Sequence, residues 1–313
     1  MLIETKFPRL ATVGVLTSPK VDDHYQPGQL FLHRFFGYRG VVLYRWPANL
    51  YDRDEENIVH TKEKEGDHQP QKAIYYQVLV DQRDAPYVKM QRDSITFLGN
   101  SAEEPLYSLP GFDYLSHDDV LPYKTVDKQP IKHNFFNKFF EVDERNGSIS
   151  FNPRESLKSW HDKNHHFLEL SAVYRCVTND LRVTVLPFYM GSRYVIYLVY
   201  IYCKQKNFVT KDEDVHYYWW RYCVRIENLG TIPVRLINRH WIIRSGNNLE
   251  EVHGRGVVGM MPVLNKQEPA FQYSSHISLK SSSGHMWGNF QFDRLDGLGN
   301  IFCRIPMLNL TSK

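Results

Sequence analysis

Cysteine is scarce in this chain. Cys176, Cys203, Cys223 and Cys303 are scattered, and no C-x-x-C pair occurs. A disulfide framework or a cysteine-rich zinc site needs closer, patterned spacing, so the expectation is reduced thiols in a nuclear, cytosolic or matrix compartment. Long apolar runs are lacking too. The longest, Tyr194 to Cys203, is about half the roughly 20 residues that a bilayer span requires, so no membrane partner is expected. Met1 to Val15 holds neither a secretory apolar core nor an Arg/Ser-rich presequence. Either there is no cleavable signal or the chain begins after it. Charge of one sign is equally modest: the formal total is +3, too weak by itself to mark a dedicated nucleic-acid binder. No G-x-S-x-G elbow, Cys–His signature or phosphate loop occurs, so no catalytic residue and no cofactor is expected.

What is abundant is aromatic. Phe, Tyr and Trp make up 14% of the 313 residues, a bias that favours pleated, half-buried surfaces. The length suffices for two domains with their own cores. Leu30 to His33 and Val41 to Trp46 read as strands around the Gly37–Gly40 reversal, after a Tyr25-Gln-Pro-Gly28 turn. Ala73 to Val80 and Ile95 to Leu98 read as further strands, and the acidic stretch Asp52 to Lys72 as a solvated loop. Phe135, Phe136, Phe139 and Phe140 have helical spacing, and Asn152-Pro-Arg-Glu155 reads as a helix start with Asn152 as cap. That helix continues through Leu157, Trp160 and Leu168. Strands resume with Leu181 to Val185. In Trp220 to Glu227 the residues Trp220, Tyr222, Val224 and Ile226 alternate with Arg221, Cys223, Arg225 and Glu227, which predicts an apolar face inward and a charged face outward. Short strands at this spacing predict a sandwich.

Several motifs are specific enough to suggest a family. Gly28 to Trp46, Tyr75 to Val80 and Gly111 to Pro122 resemble the YccV-like domain, also described as the hemimethylated-DNA-binding or HspQ type. Trp220 to Pro306 resembles an ApaG domain, with Asn238-Arg-His-Trp241, Gly254 to Gly259, Pro262-Val-Leu264 and Ser283 to Gly288 in the expected order. The combination is similar to the polymerase delta-interacting protein 2 family and covers nearly the whole chain. The resemblance implies a mainly β fold, in which a small SH3-like β-barrel precedes an immunoglobulin/fibronectin-like β-sandwich, joined by a short helical connector. The expected boundaries are an N-terminal extension at 1–24, the YccV-like domain at 25–124, the connector at 125–170 and the ApaG domain at 171–313. It also implies a non-catalytic adaptor in DNA replication, repair and damage tolerance. Its implied partners are the small subunit of DNA polymerase delta, the sliding clamp, primase-polymerase and other translesion polymerases, and the Clp protease chaperone in mitochondria. The implied location is the mitochondrial matrix, the nucleus or both. One stretch departs from the pattern. Arg193 to Asp214 interrupts the passage from Pro187 to Trp220 where a shorter loop is expected, and reads either as a lineage-specific strand or as translated intron.

The candidate contact residues fall into two groups. Arg34, Phe36, Tyr38 and Arg39 form an aromatic–basic hairpin, with Arg45 and Trp46 nearby, suited to a protein partner or to weak, direct DNA contact. Arg225, Arg235 and Arg255 belong to an arginine ladder, with Arg221, Arg239 and Arg244, that would meet an acidic partner segment or lie as a solvated face. A free sheet edge taking a partner strand is a third mode. Gly254-x-Gly-x-x-Gly259 matches the dinucleotide fingerprint, but Pro262 argues against the helix that phosphate binding needs, so a loop with Arg255 at its tip is expected. His161 and His165 share a helix face without a third ligand, so exposed histidines and no metal are expected. Strand alternation places His240 with Leu236 and Ile242 as a core histidine. Asp118 and Asp119 read as surface charge.

Overall fold

The computed structural model describes residues 13–52, 70–85, 88, 94–98, 106–145, 147–196 and 214–312. Two expectations, the acidic loop beyond Asp52 and the interior of the 193–214 stretch, fall on residues outside these.

The first module is a barrel built on one long strand. In chain order come β1 (Val15–Leu16), β2 (Leu30–His33), β3 (Arg39–Asp52) and β4 (Gln71–Val80). Then follow β5 (Ser94–Leu98), β6 (Leu106–Pro110), β7 (Phe112–Ser116) and β8 (Val120–Lys124). Strands pair in the order β8-β2-β3-β4-β7, and a single 3-10 turn at His117–Asp119 closes the path from β7 to β8. β3 reads Val41-Val42-Leu43 without alternation because both of its faces are covered. Val42 joins Tyr25, Phe31, Tyr38 and Tyr76 in one cluster, while Val41 and Leu43 join another.

The connector is not simply helical. It begins with a single turn, α1 (Phe136–Phe139), passes into a hairpin of β9 (Phe140–Arg145) and β10 (Ser148–Pro153), and ends in α2 (Glu155–Leu168). This corrects the predicted cap. Asn152 and Pro153 pair with Glu141 and Phe140, so helix geometry begins only after Arg154. The four phenylalanines do gather, but through a helix turn and a strand start rather than one helix face. Phe136 lies 5.7 Å from Phe140 and 5.5 Å from Phe151 between ring centres.

The sandwich follows as β11 (Ala172–Thr178), β12 (Leu181–Ile196), β13 (Asp214–Asn228), β14 (Val234–Ser245) and β15 (Asn248–Arg255). It ends with β16 (Val263–Leu264), β17 (Ala270–Leu279), β18 (Ser283–Arg294) and β19 (Asn300–Thr311). One layer runs β11-β12-β13-β17 and the other β15-β14-β18-β19. Between them Trp220, Tyr222, Val224 and Ile226 meet Trp241, Phe290, Phe292 and Leu308. At the 193–214 stretch β12 and β13 stay paired out to Ile196 opposite Asp214.

The two modules are continuous. The last turn-ward residues of β3, Asn49 to Asp52, pair in parallel with Ala172 to Arg175 of β11, so barrel and sandwich share one ten-stranded sheet. One apolar cluster likewise runs from Leu43 and Phe112 of the barrel through Phe139, Phe151 and Leu168 of the connector to Leu186, Phe188 and Cys223 of the sandwich. Cys176, Cys223 and Cys303 are buried.

Candidate interaction site at the junction of barrel and sandwich

The charged face of β13, with Arg221, Arg225 and Glu227, was expected to face solvent, while Cys223 on the same face was read as a packing residue. All four are buried, because the barrel covers that face of the sheet. Alternation reports that a strand has two chemically distinct faces, and here the charged one is an interior interface rather than an exterior.

At its centre Arg225 Nη1 donates to Asp119 Oδ2 at 2.5 Å, and its Nη2 reaches Glu227 at 3.2 Å. Asp119 is therefore internal, not surface charge: the turn that carries it is inserted between modules, and it is 4% exposed. Burial alone would lower the Arg225 pKa and raise that of Asp119. The opposite charges outweigh burial, holding the guanidinium above and the carboxyl below their ordinary values. A second crossing runs through Asp113, which accepts from Tyr38 Oη at 2.6 Å on the barrel side and from Gln272 Nε2 at 2.8 Å on the sandwich side. Tyr114 Oη ties the barrel to the connector, donating to the Leu168 carbonyl at the end of α2 at 2.7 Å. Arg175 of β11 pairs with Asp52 of β3. Arg221 stacks over the Phe188 ring at 4.0 Å. A buried ion pair contributes little net stability against an apolar replacement, but misalignment would leave charges unpaired, so these crossings select one orientation.

The aromatic–basic hairpin lies over this junction. His33 Nδ1 accepts from the backbone N–H groups of Phe35 and Phe36, and Arg34 N–H donates to the Asp119 carbonyl. The rings of Phe35 and Phe36 cover the Arg225 guanidinium at 4.8 and 5.5 Å. Burial pushes His33 down to about 3, against the pull of Asp119 and with the push of Arg225, so its ring is neutral near pH 7. Beside the hairpin opens a cleft of about 500 Å³, with Arg34, Phe35, His117, Asp118, Arg175 and Arg182 among its lining residues. Its potential nucleophile and base are both engaged. Ser116 Oγ bonds Asp119, while His117 bonds Tyr76 Oη through Nδ1 and the Lys20 carbonyl through Nε2.

The predicted contact residues therefore divide. Arg34 is exposed at the cleft mouth and Phe36 half-buried beside it. Tyr38 and Arg225 are corrected from contact residues to interior ones, since both are buried and bonded to carboxylates within the junction. Arg39 is held by both carboxylate oxygens of Asp84. Trp46 is buried against His161 and His165. Arg235 and Arg255 are exposed on the second sheet, outside the cleft lining.

Three other expectations are revised. His161 is buried, its ring stacked on Tyr44 at 3.7 Å, and burial lowers its pKa. His240 is not in the core. β14 shifts register between Leu236 and Asn238, and that bulge reverses which face later residues occupy, so Trp241 and Ile243 point inward and His240 outward. The glycine segment forms the expected loop between strands, but Arg255 is not at its tip: it ends β15, and the reversal lies between Val257 and Met260, bonded N–H to carbonyl both ways. Gly256 is required there, because a Cβ would sit 2.1 Å from the Met260 carbonyl oxygen.

This is a two-module β protein whose polar junction fixes one body around a lined cleft. Residues 23–147 match the family described as hemimethylated DNA-binding protein YccV like, and residues 209–294 match the ApaG domain. The chain is 47% identical to the polymerase delta-interacting protein 2 of Homo sapiens and, equally, of Mus musculus, over 97% of this chain and 80% of each relative. Its ApaG part is 35% identical to protein ApaG of Agrobacterium fabrum, over 45% of this chain and 94% of that one. The chain belongs to the polymerase delta-interacting protein 2 family.

Proposed function

We propose that this chain is a non-catalytic protein-interaction adaptor that presents the junction cleft to components of the DNA replication and damage-tolerance machinery. The observation that carries the reading is the single sheet running from barrel to sandwich, with buried charge pairs across it. A body built this way holds two faces at one spacing and loses little conformational entropy when a partner bridges them. The name of the human and mouse relatives supports DNA polymerase delta as the first partner to test. The sliding clamp, primase-polymerase and the mitochondrial Clp chaperone are further partners on the same reading, and matrix and nucleus the compartments. Arg34, Arg175 and Arg182 line this cleft together with the exposed Phe35, a chemistry suited to an acidic peptide with an aromatic or aliphatic anchor.

The test uses the full chain against the purified small subunit of DNA polymerase delta and the sliding clamp. Charge reversal of Arg34 and Arg182 together is expected to weaken the interacting partner about 10- to 100-fold, or roughly 1.4–2.8 kcal/mol. Undiminished binding of every partner by that variant refutes the cleft as the docking surface. Salt-dependent binding of duplex DNA lost with the same two arginines would instead favour the nucleic-acid reading.

A further inference from the structure

A cluster unrelated to the junction stands on the outer face of the second sheet. The β14–β15 register sets His240 opposite His253, and Glu251, two residues earlier on β15, projects from the same face. The imidazoles stack at 4.0 Å between centres with planes 10° apart. Both direct Nε2 to one oxygen: His240 lies 3.0 Å and His253 3.4 Å from Glu251 Oε2. All three donor atoms fall within 4.8 Å of one another.

Those spacings have a chemical meaning. Zinc binds imidazole nitrogen and carboxylate oxygen at about 2.0–2.2 Å, and two ligands of a tetrahedral ion are then roughly 3.3–3.5 Å apart. The observed separations of 3.0 and 3.4 Å lie within about 0.3 Å of that edge length, so one ion could be held with side-chain adjustment alone. Two nitrogens and one carboxylate suit borderline transition ions, whereas magnesium and calcium demand oxygen sets. Side-chain exposures of 23%, 51% and 66% leave the site reachable from solvent. A cleft of about 580 Å³ adjoins the two histidines, lined also by Asn238, Arg239, Arg255, Asn289, Gln291 and Phe302.

We propose that His240, Glu251 and His253 form a binding site for a divalent transition ion of the zinc class, with three protein ligands and a coordination position open toward this cleft. The ion ties β15, which among the described residues pairs only with β14, to the body of the sandwich. Its open position accepts water, an anion or a donor side chain from a bound protein. The site does not depend on the junction cleft being the docking surface.

The full chain, stripped with chelator, is titrated with zinc chloride near neutral pH by calorimetry, with magnesium chloride as control. The expected result is about one zinc per chain at micromolar or tighter affinity, no magnesium binding, and X-ray absorption showing nitrogen and oxygen ligands at about 2.0–2.2 Å. His253→Ala and Glu251→Gln, both at exposed side chains, should retain the wild-type melting temperature without metal and each weaken zinc by more than about tenfold. Zinc bound equally well by both variants overturns the proposal, as does absence of binding at about 100 µM zinc, where a micromolar site would be saturated.

Discussion

Replacing Arg225 with methionine separates a junction that couples the modules from one that merely abuts them. The substitution removes the only guanidinium bonded to both Asp119 and Glu227 among the described residues, while nearly preserving the length of the side chain. Both carboxylates, 4% and 5% exposed, then remain in the interior. Asp119 keeps the Ser116 hydroxyl, and Glu227 keeps Arg182 at 4.0 Å. Breaking a buried pair by deleting one partner costs about 3–5 kcal/mol. With an unfolding entropy near 2.1 cal/mol/K per residue, a chain of 313 residues unfolding as one unit should lose about 5–8 °C in Tm. Asp119→Asn should cost less, about 1–3 kcal/mol, because Arg225 then retains Glu227. Scanning calorimetry reads both the size and the form of the change. Wild type is expected to unfold in one transition, and Arg225→Met in a broader or divided one as the contact between modules weakens first. A methionine variant that melts within about 1 °C of wild type in an unchanged single transition would refute the coupling argument.

Two further outcomes follow from named contacts. His33 stays neutral in the folded chain down to about pH 3, whereas its unfolded counterpart takes a proton from about 6.5 downward. Between those values the unfolded state binds more protons, so acidification should cost up to about 1.4 kcal/mol per pH unit. His33→Asn, whose Oδ1 can accept the same amide hydrogens, should flatten the fall of Tm between about pH 6.5 and 4. His133 and His161, whose pKa values burial also lowers, and Asp119, whose carboxyl Arg225 holds low, contribute to the slope that remains. An acid limb of unchanged steepness in chemical denaturation would contradict this assignment. Gly28→Ala places a Cβ 1.8 Å from the Phe151 carbonyl oxygen at a positive φ of 93°, so it should destabilise the chain by about 2–5 kcal/mol and lower the denaturation midpoint. A stability equal to wild type would show that the connector hairpin does not rest on that turn.

The strands of the barrel were legible because β2, β3 and β4 carry dense branched and aromatic runs between turn residues. The connector hairpin was missed although Asn146-Gly147, a strong reversal signal, stands between its strands, because the helical spacing of the phenylalanines masked it. The junction was invisible for another reason. Arg221, Arg225 and Glu227 alternate as any amphipathic strand does, and nothing local states that Asp119, over a hundred residues away, will cover that face. His240 was misplaced because a one-residue bulge leaves no compositional mark yet inverts every later position on the strand. The metal-ligand triad had only a weak trace, Glu251-x-His253, whose third member depends on that inverted register.

The parallel union of β3 with β11 also bears on solubility. Either module alone would end that side of its sheet with unsatisfied N–H and C=O groups along Asn49 to Asp52 or Ala172 to Arg175, a template to which stray chains adhere. Each module shields the other's raw border, so cleavage within the connector would yield fragments prone to clumping even where both retain their cores.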